Sequence, residues 1–208
     1  MFNGWFTCPD DPVNNPGGPT SRFPAQTLFA PWCADIIGDD KFKQVIFIVN
    51  NTGSPLHMAV TPYYDGGTLA SQPISPDGQN SGIIPAGYTA DRGTCLGMGR
   101  FVQDYGSLFC GSGIGLVLNT VVYGVSQNFG IFVAGSMSQG AGLDVCANMD
   151  GVDPKTRFDS VAGKQNTPQG TLRDDKSGNL RVRAVLLDRG DQPDVAPAQP
   201  LVFVYISG

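Results

Sequence analysis

The chain carries eighteen aspartates and not one glutamate. The two acids bear the same charge, but Glu is a good helix former, whereas Asp bonds to nearby backbone and favours caps and turns. Twenty-eight glycines and sixteen prolines accompany them, about a fifth of the chain, against roughly 12% in average usage. A sequence that avoids a main surface helix former and is this rich in turn formers is predicted to build short strands joined by loops.

The strand pattern starts at residue 41. KFKQVIFIVN ends in a β-branched apolar run, and NTGSP follows it as a turn. Further strands are predicted over 56–64, 68–72, 82–84, 99–103, 115–124, 129–136, 180–188 and 201–206. They are separated by Asp65-Gly66-Gly67, Ser75-Pro76-Asp77-Gly78, Pro85-Ala86-Gly87 and Asp150-Gly151. Arg181 to Asp188 begins with polar alternation, as a strand with one wet face would. Leu201-Val-Phe-Val-Tyr-Ile206 is apolar throughout, as in a strand buried on both sides. Roughly eight or nine strands suit two packed sheets. The expected fold is therefore all-β: a two-sheet antiparallel β-sandwich of jelly-roll type, over residues 44–208. A long irregular loop is expected at about 138–170, holding one short helix near 159–162. Asp174 to Asn179 reads as a hairpin connection.

Residues 1–43 have a texture of their own. Six prolines (Pro9, Pro12, Pro16, Pro19, Pro24, Pro31) are mixed with large apolar groups: Phe2, Trp5, Phe6, Phe23, Leu28, Phe29 and Trp32. Proline removes backbone donors and holds its predecessor extended, so no regular sheet is expected here. The expectation is an extended, irregular N-terminal arm whose seven large apolar residues anchor it on its own sandwich or on a neighbouring subunit.

Bulk properties narrow the function. A net charge of −5 and only 15% charged residues argue against a nucleic-acid surface, which needs clustered Lys and Arg. Eight of the thirteen basic residues fall between Lys155 and Arg189, but eight Asp between Asp150 and Asp194 neutralise them locally. The start, MFNGWFTCPDDP, lacks the basic and apolar regions of an export signal. No run has the eighteen or more apolar residues of a membrane span. The longest apolar stretch, 114–135, is interrupted by Asn119, Thr120, Ser126, Gln127 and Asn128.

Catalytic chemistry finds few reagents. The single histidine, His57, comes with no nucleophile elbow, and its expected role is an ordinary strand-edge residue. Gly111-Ser112-Gly113-Ile114-Gly115 leads into a strand rather than a helix, so it is read as a turn or close sheet contact and not as a phosphate loop. The five cysteines (Cys8, Cys33, Cys95, Cys110, Cys146) form no CxxC pair. They are read as buried free thiols, with a Cys95–Cys110 bridge as the alternative in an oxidising compartment. Asp144, Asp150, Asp153 and Asp159 cluster in one predicted loop, where oxygen ligands can hold calcium weakly; turn formation is the preferred role. Arg189-Gly190-Asp191 and the Asn50-Asn51-Thr52 sequon are read as structural. Trp5, Trp32, Tyr63 and Tyr64 are candidates for stacking on sugar rings, with arm docking preferred for the two tryptophans.

The expected protein is thus not an enzyme and uses no cofactor. Its composition and architecture resemble those of viral coat and capsid-associated proteins. The resemblance implies a structural subunit, a capsid, minor capsid or decoration protein. It would be made in the cytoplasm, sit on a virion or extracellular particle surface, and partner itself or other proteins of one assembly. The alternative is a secreted or surface β-sandwich binding carbohydrate or lipid, with residues 113–135 as an inserting hairpin. Two central core strands are the preferred reading of that segment.

Overall fold

The computed structural model describes residues 42–59, 63–65, 68–74, 83–84, 86, 98–105, 112–136, 140–162, 167–168, 170–186 and 201–208. The anchors Phe2, Trp5, Phe6, Phe23, Leu28, Phe29 and Trp32 lie outside these residues, as do Cys8, Cys33, Cys95, Cys110 and the Arg189-Gly190-Asp191 tripeptide.

Two six-stranded sheets face each other. One, sheet A, contains β1 (Phe42–Asn51), β4 (Thr68–Ile74), β6 (Met98–Tyr105), β10 (Leu172–Ser177), β11 (Leu180–Leu186) and β12 (Leu201–Ser207), in the order β10-β11-β12-β1-β6-β4. The other, sheet B, contains β2 (Leu56–Met58), β5 (Ile83–Ile84), β7 (Ser112–Val122), β8 (Val125–Ser136) and β9 (Gly140–Cys146) in the order β5-β2-β7-β8-β9, with β3 (Tyr63–Asp65) also paired to β7. The predicted two-sheet, all-β arrangement is what forms. One pairing departs from a wholly antiparallel arrangement: β1 and β12 run parallel, Val45 opposite Leu201 through Asn51 opposite Ser207.

The core follows from alternation. Ile114, Leu116 and Leu118 on β7 sit directly opposite Val133, Ile131 and Phe129 on β8, and all six point between the sheets. Ile46 and Ile48 on β1, Val182 and Ala184 on β11, and Val202, Val204 and Ile206 on β12 meet them from sheet A. Two odd-numbered residues of β12 are buried as well, Phe203 fully and Tyr205 nearly so. The unbroken apolar run therefore marks a strand covered on both faces, as expected. In β11 the wet face is shorter than the sequence suggests. Arg181 is exposed, but Arg183 is only 4% exposed and lies over the Tyr205 ring, 5.0 Å from its centroid. A guanidinium stacked on an aromatic face loses less on leaving water than an isolated charge does.

The expected irregular loop at 138–170 is instead structured. It contains β9 and an α-helix, α1 (Pro154–Ala162). Asp153 starts the helix: its Oδ2 accepts from the Thr156 amide (2.9 Å) and hydroxyl (2.6 Å), and proline occupies the first helical position. Phe158 and Val161 are its buried residues. They pack on the outer face of sheet B with Val117, Phe132, Ala134 and Met149. Glycines make this close approach feasible. A β-carbon on Gly113 would overlap the Phe158 ring, and one on Gly142 would stand 2.8 Å from the Val161 carbonyl oxygen. The glycine-rich start of β7 is thus a close sheet contact. Residues 174–177 are strand rather than connection, and the turn is Gly178-Asn179. Likewise 56–64 is broken into β2 and β3 instead of one strand.

At one end of the sandwich a buried polar cluster closes the β1–β2 connection. The Asn50 side chain donates to Ser54 O (2.8 Å) and Ile84 O (3.3 Å), and its Oδ1 accepts from the Thr52 amide (3.0 Å). The Thr52 hydroxyl lies 2.7 Å from Asn50 Oδ1 and 3.4 Å from the Thr120 hydroxyl. Asn50 is fully buried, so the first residue of the sequon is committed to the fold.

Candidate functional site

The β7–β8 hairpin turns through two residues, Tyr123 and Gly124, between the paired Val122 and Val125. Both have positive φ, 49° and 78°, as in a type I′ turn, where Asn-Gly is the favoured sequence. A bulky side chain with positive φ is an outlier, and such strain persists where something else is gained. Here the tyrosine is held out in solvent at 80% exposure, flanked by Val125 at 62% and Val121 at 40%. The tip is apolar, aromatic and uncharged. Below it, 113–122 and 125–135 are strands of the core, the reading preferred from sequence.

Beside the tip, on the outer face of sheet B, lies a cleft of about 360 Å³ lined by Ala59, Val117, Asn119, Asn128, Met149, Val152 and Pro154. Each element is fixed by local bonding. Asn119 and Asn128 are directly opposed in the hairpin, and Asn119 Nδ2 donates to Asn128 Oδ1 and Ser126 Oγ, both at 2.9 Å. The Met149 amide donates to Asn128 O (2.9 Å), the Val152 amide to Met149 O (3.0 Å), and the Ala59 amide to Val117 O (3.0 Å). Among the described residues the lining holds no ionisable side chain, and His57 lies across from Asn119 on the neighbouring strand. Two of the amides that interrupt the longest apolar stretch of the sequence, Asn119 and Asn128, are therefore the polar groups of this cleft, while Gln127 donates to Ala147 O and Ser177 O; that interruption was the available signal.

A second cavity, about 230 Å³, is lined by Leu143, Asp144, Ser160, Val161, Thr167 and Arg173. Its charged groups are already engaged: Asp144 pairs with Arg157 at 2.7 Å, and Arg173 Nε donates to Leu143 O at 2.9 Å.

The clustered aspartates do not converge. Asp144 pairs with Arg157, Asp159 with Lys155 (2.6 Å), and Asp153 caps the helix, where the Thr156 hydrogen bonds hold its carboxyl below the usual carboxylate range. Among the described residues no three His, Cys, Asp or Glu side chains form a group that could hold a metal. His57 is exposed on β2, opposite Asn119. Tyr63 and Tyr64 lie in β3, while Trp5 and Trp32 are outside the described residues. The Cys146 thiol is free and half-buried, donating to Asn148 O at 3.0 Å. Among the described residues no helix is long and apolar enough to cross a membrane.

These features define an all-β sandwich with one helix laid on an outer face. No protein-family model and no curated protein sequence matches the chain. Among solved structures it is similar in fold to the lipid binding protein Nakanori, with a TM-score of 0.51 and 14% identity, over 86% of this chain and 76% of that one.

Proposed function

We propose that this protein is a non-enzymatic binding module that docks on a neutral or zwitterionic lipid surface through the Tyr123 hairpin tip. The observation that carries the reading is the strained, exposed tyrosine between two exposed valines. Amphipathic rings of this kind favour the headgroup level of a bilayer. The net charge of −5 disfavours anionic lipid, which attracts polybasic segments. The similar fold of a protein described as lipid binding supports this choice over other partners.

Fully burying one valine is worth about 1.5–3 kcal/mol. A tip of one tyrosine and two part-exposed valines thus supplies roughly 3–5 kcal/mol, in the weak, reversible range of a single acyl anchor. Co-sedimentation with phosphatidylcholine vesicles tests the reading. Retention of the full chain that falls when Tyr123 and Val125 are both changed to Ser supports it. No retention, or retention the double variant leaves unchanged, overturns it.

The second reading is a structural subunit of a multi-subunit assembly such as a virion. It is favoured by the low charged content of 15% and by the aromatic, proline-rich first 43 residues. Size-exclusion chromatography with electron microscopy separates the two: a discrete particle that disappears on deleting residues 1–40 supports assembly, and a monomer over a wide concentration range removes it.

A further inference from the structure

We propose that the cleft over Asn119 and Asn128 binds an uncharged, hydroxyl-rich ring, a pyranose. The source rests on the lipid-surface reading above; the chemistry of the cleft stands apart from it. With the asparagine pair bonded as observed, Asn119 Oδ1 and Asn128 Nδ2 are without partners among the described residues. The cleft therefore offers one acceptor and one donor side by side, on a floor of Val117 and Met149 with Val152 and Pro154 as a wall. Among the described lining residues a cation would find no carboxylate and an anion no Lys or Arg, the nearest basic group being His57 across from Asn119. A wholly apolar ligand would strip water from two amides and leave them unpaired, which is costly. A sugar ring matches both halves, with hydroxyls for the amides and C–H faces for the aliphatic side chains. The volume, about 360 Å³, lies at the small end of ligand clefts, which run from about 300 to 1,000 Å³.

Position links this cleft to the tip. Asn119, Val121 and Tyr123 follow one another at alternate positions of the same strand end, and four residues of strand span about 13 Å. A sugar carried on a lipid would reach the cleft while the tip meets the same surface. Two weak contacts on one surface reinforce each other through effective concentration.

The test uses the full chain in two arms. In the first, phosphatidylcholine vesicles with and without galactosylceramide or glucosylceramide are compared by co-sedimentation. In the second, soluble neutral mono- and disaccharides are titrated while the backbone and side-chain amide resonances are followed. The expected result is about a tenfold gain in vesicle affinity from the glycolipid. That gain should be lost in Asn119→Ala and in Val152→Arg, a rim variant at an exposed position that closes the cleft without disturbing the hairpin. Both variants should keep the wild-type binding to plain vesicles, whereas the Tyr123 variants lose it. Saturable shifts of the Asn119 and Asn128 amides with free sugar, without any vesicle binding, would uphold the cleft and point to a soluble glycan, while sinking the lipid reading. No glycolipid gain together with no sugar-dependent shift, or a gain untouched by both cleft variants, would overturn the proposal.

Discussion

The ring of Phe158 occupies the space that a β-carbon on Gly113 would take. The helix and β7 are thereby locked at a spacing that only glycine permits. Gly113→Ala should cost about 1–3 kcal/mol, the range for overpacking a filled site, and lower the melting temperature by roughly 2–4 °C per kcal/mol in a domain of this size. Gly53→Ala, at a site with nothing within 4 Å, is the control and should change little. Thermal melts of the two variants decide the matter.

Tyr123 should trade stability against binding. Asparagine tolerates the left-handed region and precedes glycine in the favoured form of this turn. Tyr123→Asn is expected to raise stability by about 1 kcal/mol, the lower end of the left-handed cost for an ordinary residue, while weakening vesicle retention. Chemical denaturation and co-sedimentation on the same preparation measure both. A variant less stable than the parent would show that the tyrosine conformation is not strained.

Asn50 should be far less tolerant than its neighbour. Asn50→Asp replaces a buried donor by an acceptor facing Ser54 O and Ile84 O. A loss of at least about 3 kcal/mol is expected from the repulsion and the unpaired carbonyls. In Asn51→Asp the part-buried Tyr205 hydroxyl, which accepts from Asn51 Nδ2 (2.7 Å), can turn to donate to the carboxylate, so the cost should stay within about 1 kcal/mol. Urea midpoints compare the two.

Acid should erode the fold in a defined window. Thr156 holds the Asp153 carboxyl low through its hydroxyl and amide, and Arg181 does the same for Asp174, with Nε donating to Oδ1 at 2.8 Å. For a carboxyl whose folded pKa is depressed, the stabilisation is present above the unfolded value, about 3.9, and lost as pH falls through the folded one. Stability should therefore drop below about pH 4. In the Asp153→Asn/Asp174→Asn double variant that acid limb should be shallower. An unchanged limb would place the acid sensitivity elsewhere.

Much of the sandwich was legible along the chain. The burial of β12 on both faces and the central place of β7 and β8 could be read from unbroken or alternating apolar residues, because burial acts residue by residue. The start of the expected loop and the expected hairpin connection after it were misread for a physical reason. Gly140-Ala141-Gly142 looks like a turn until α1 is seen to need the missing side chains, and Asp174 to Asn179 looks like a connection until Asp174–Ser177 is seen to pair with β11. Asp153-Pro154 did carry a helix-start signal, a capping side chain followed by proline.

By itself, then, the amino-acid order determined that this is a two-sheet β protein with few charges, since composition and period set which residues seek the interior. Only tertiary structure decided that β1 and β12 run in parallel and that a helix covers the glycines. It also decided that Asn119 and Asn128, separated by a hairpin, stand side by side over an apolar floor. Such juxtapositions depend on register and on contacts distant along the chain, which no local pattern encodes.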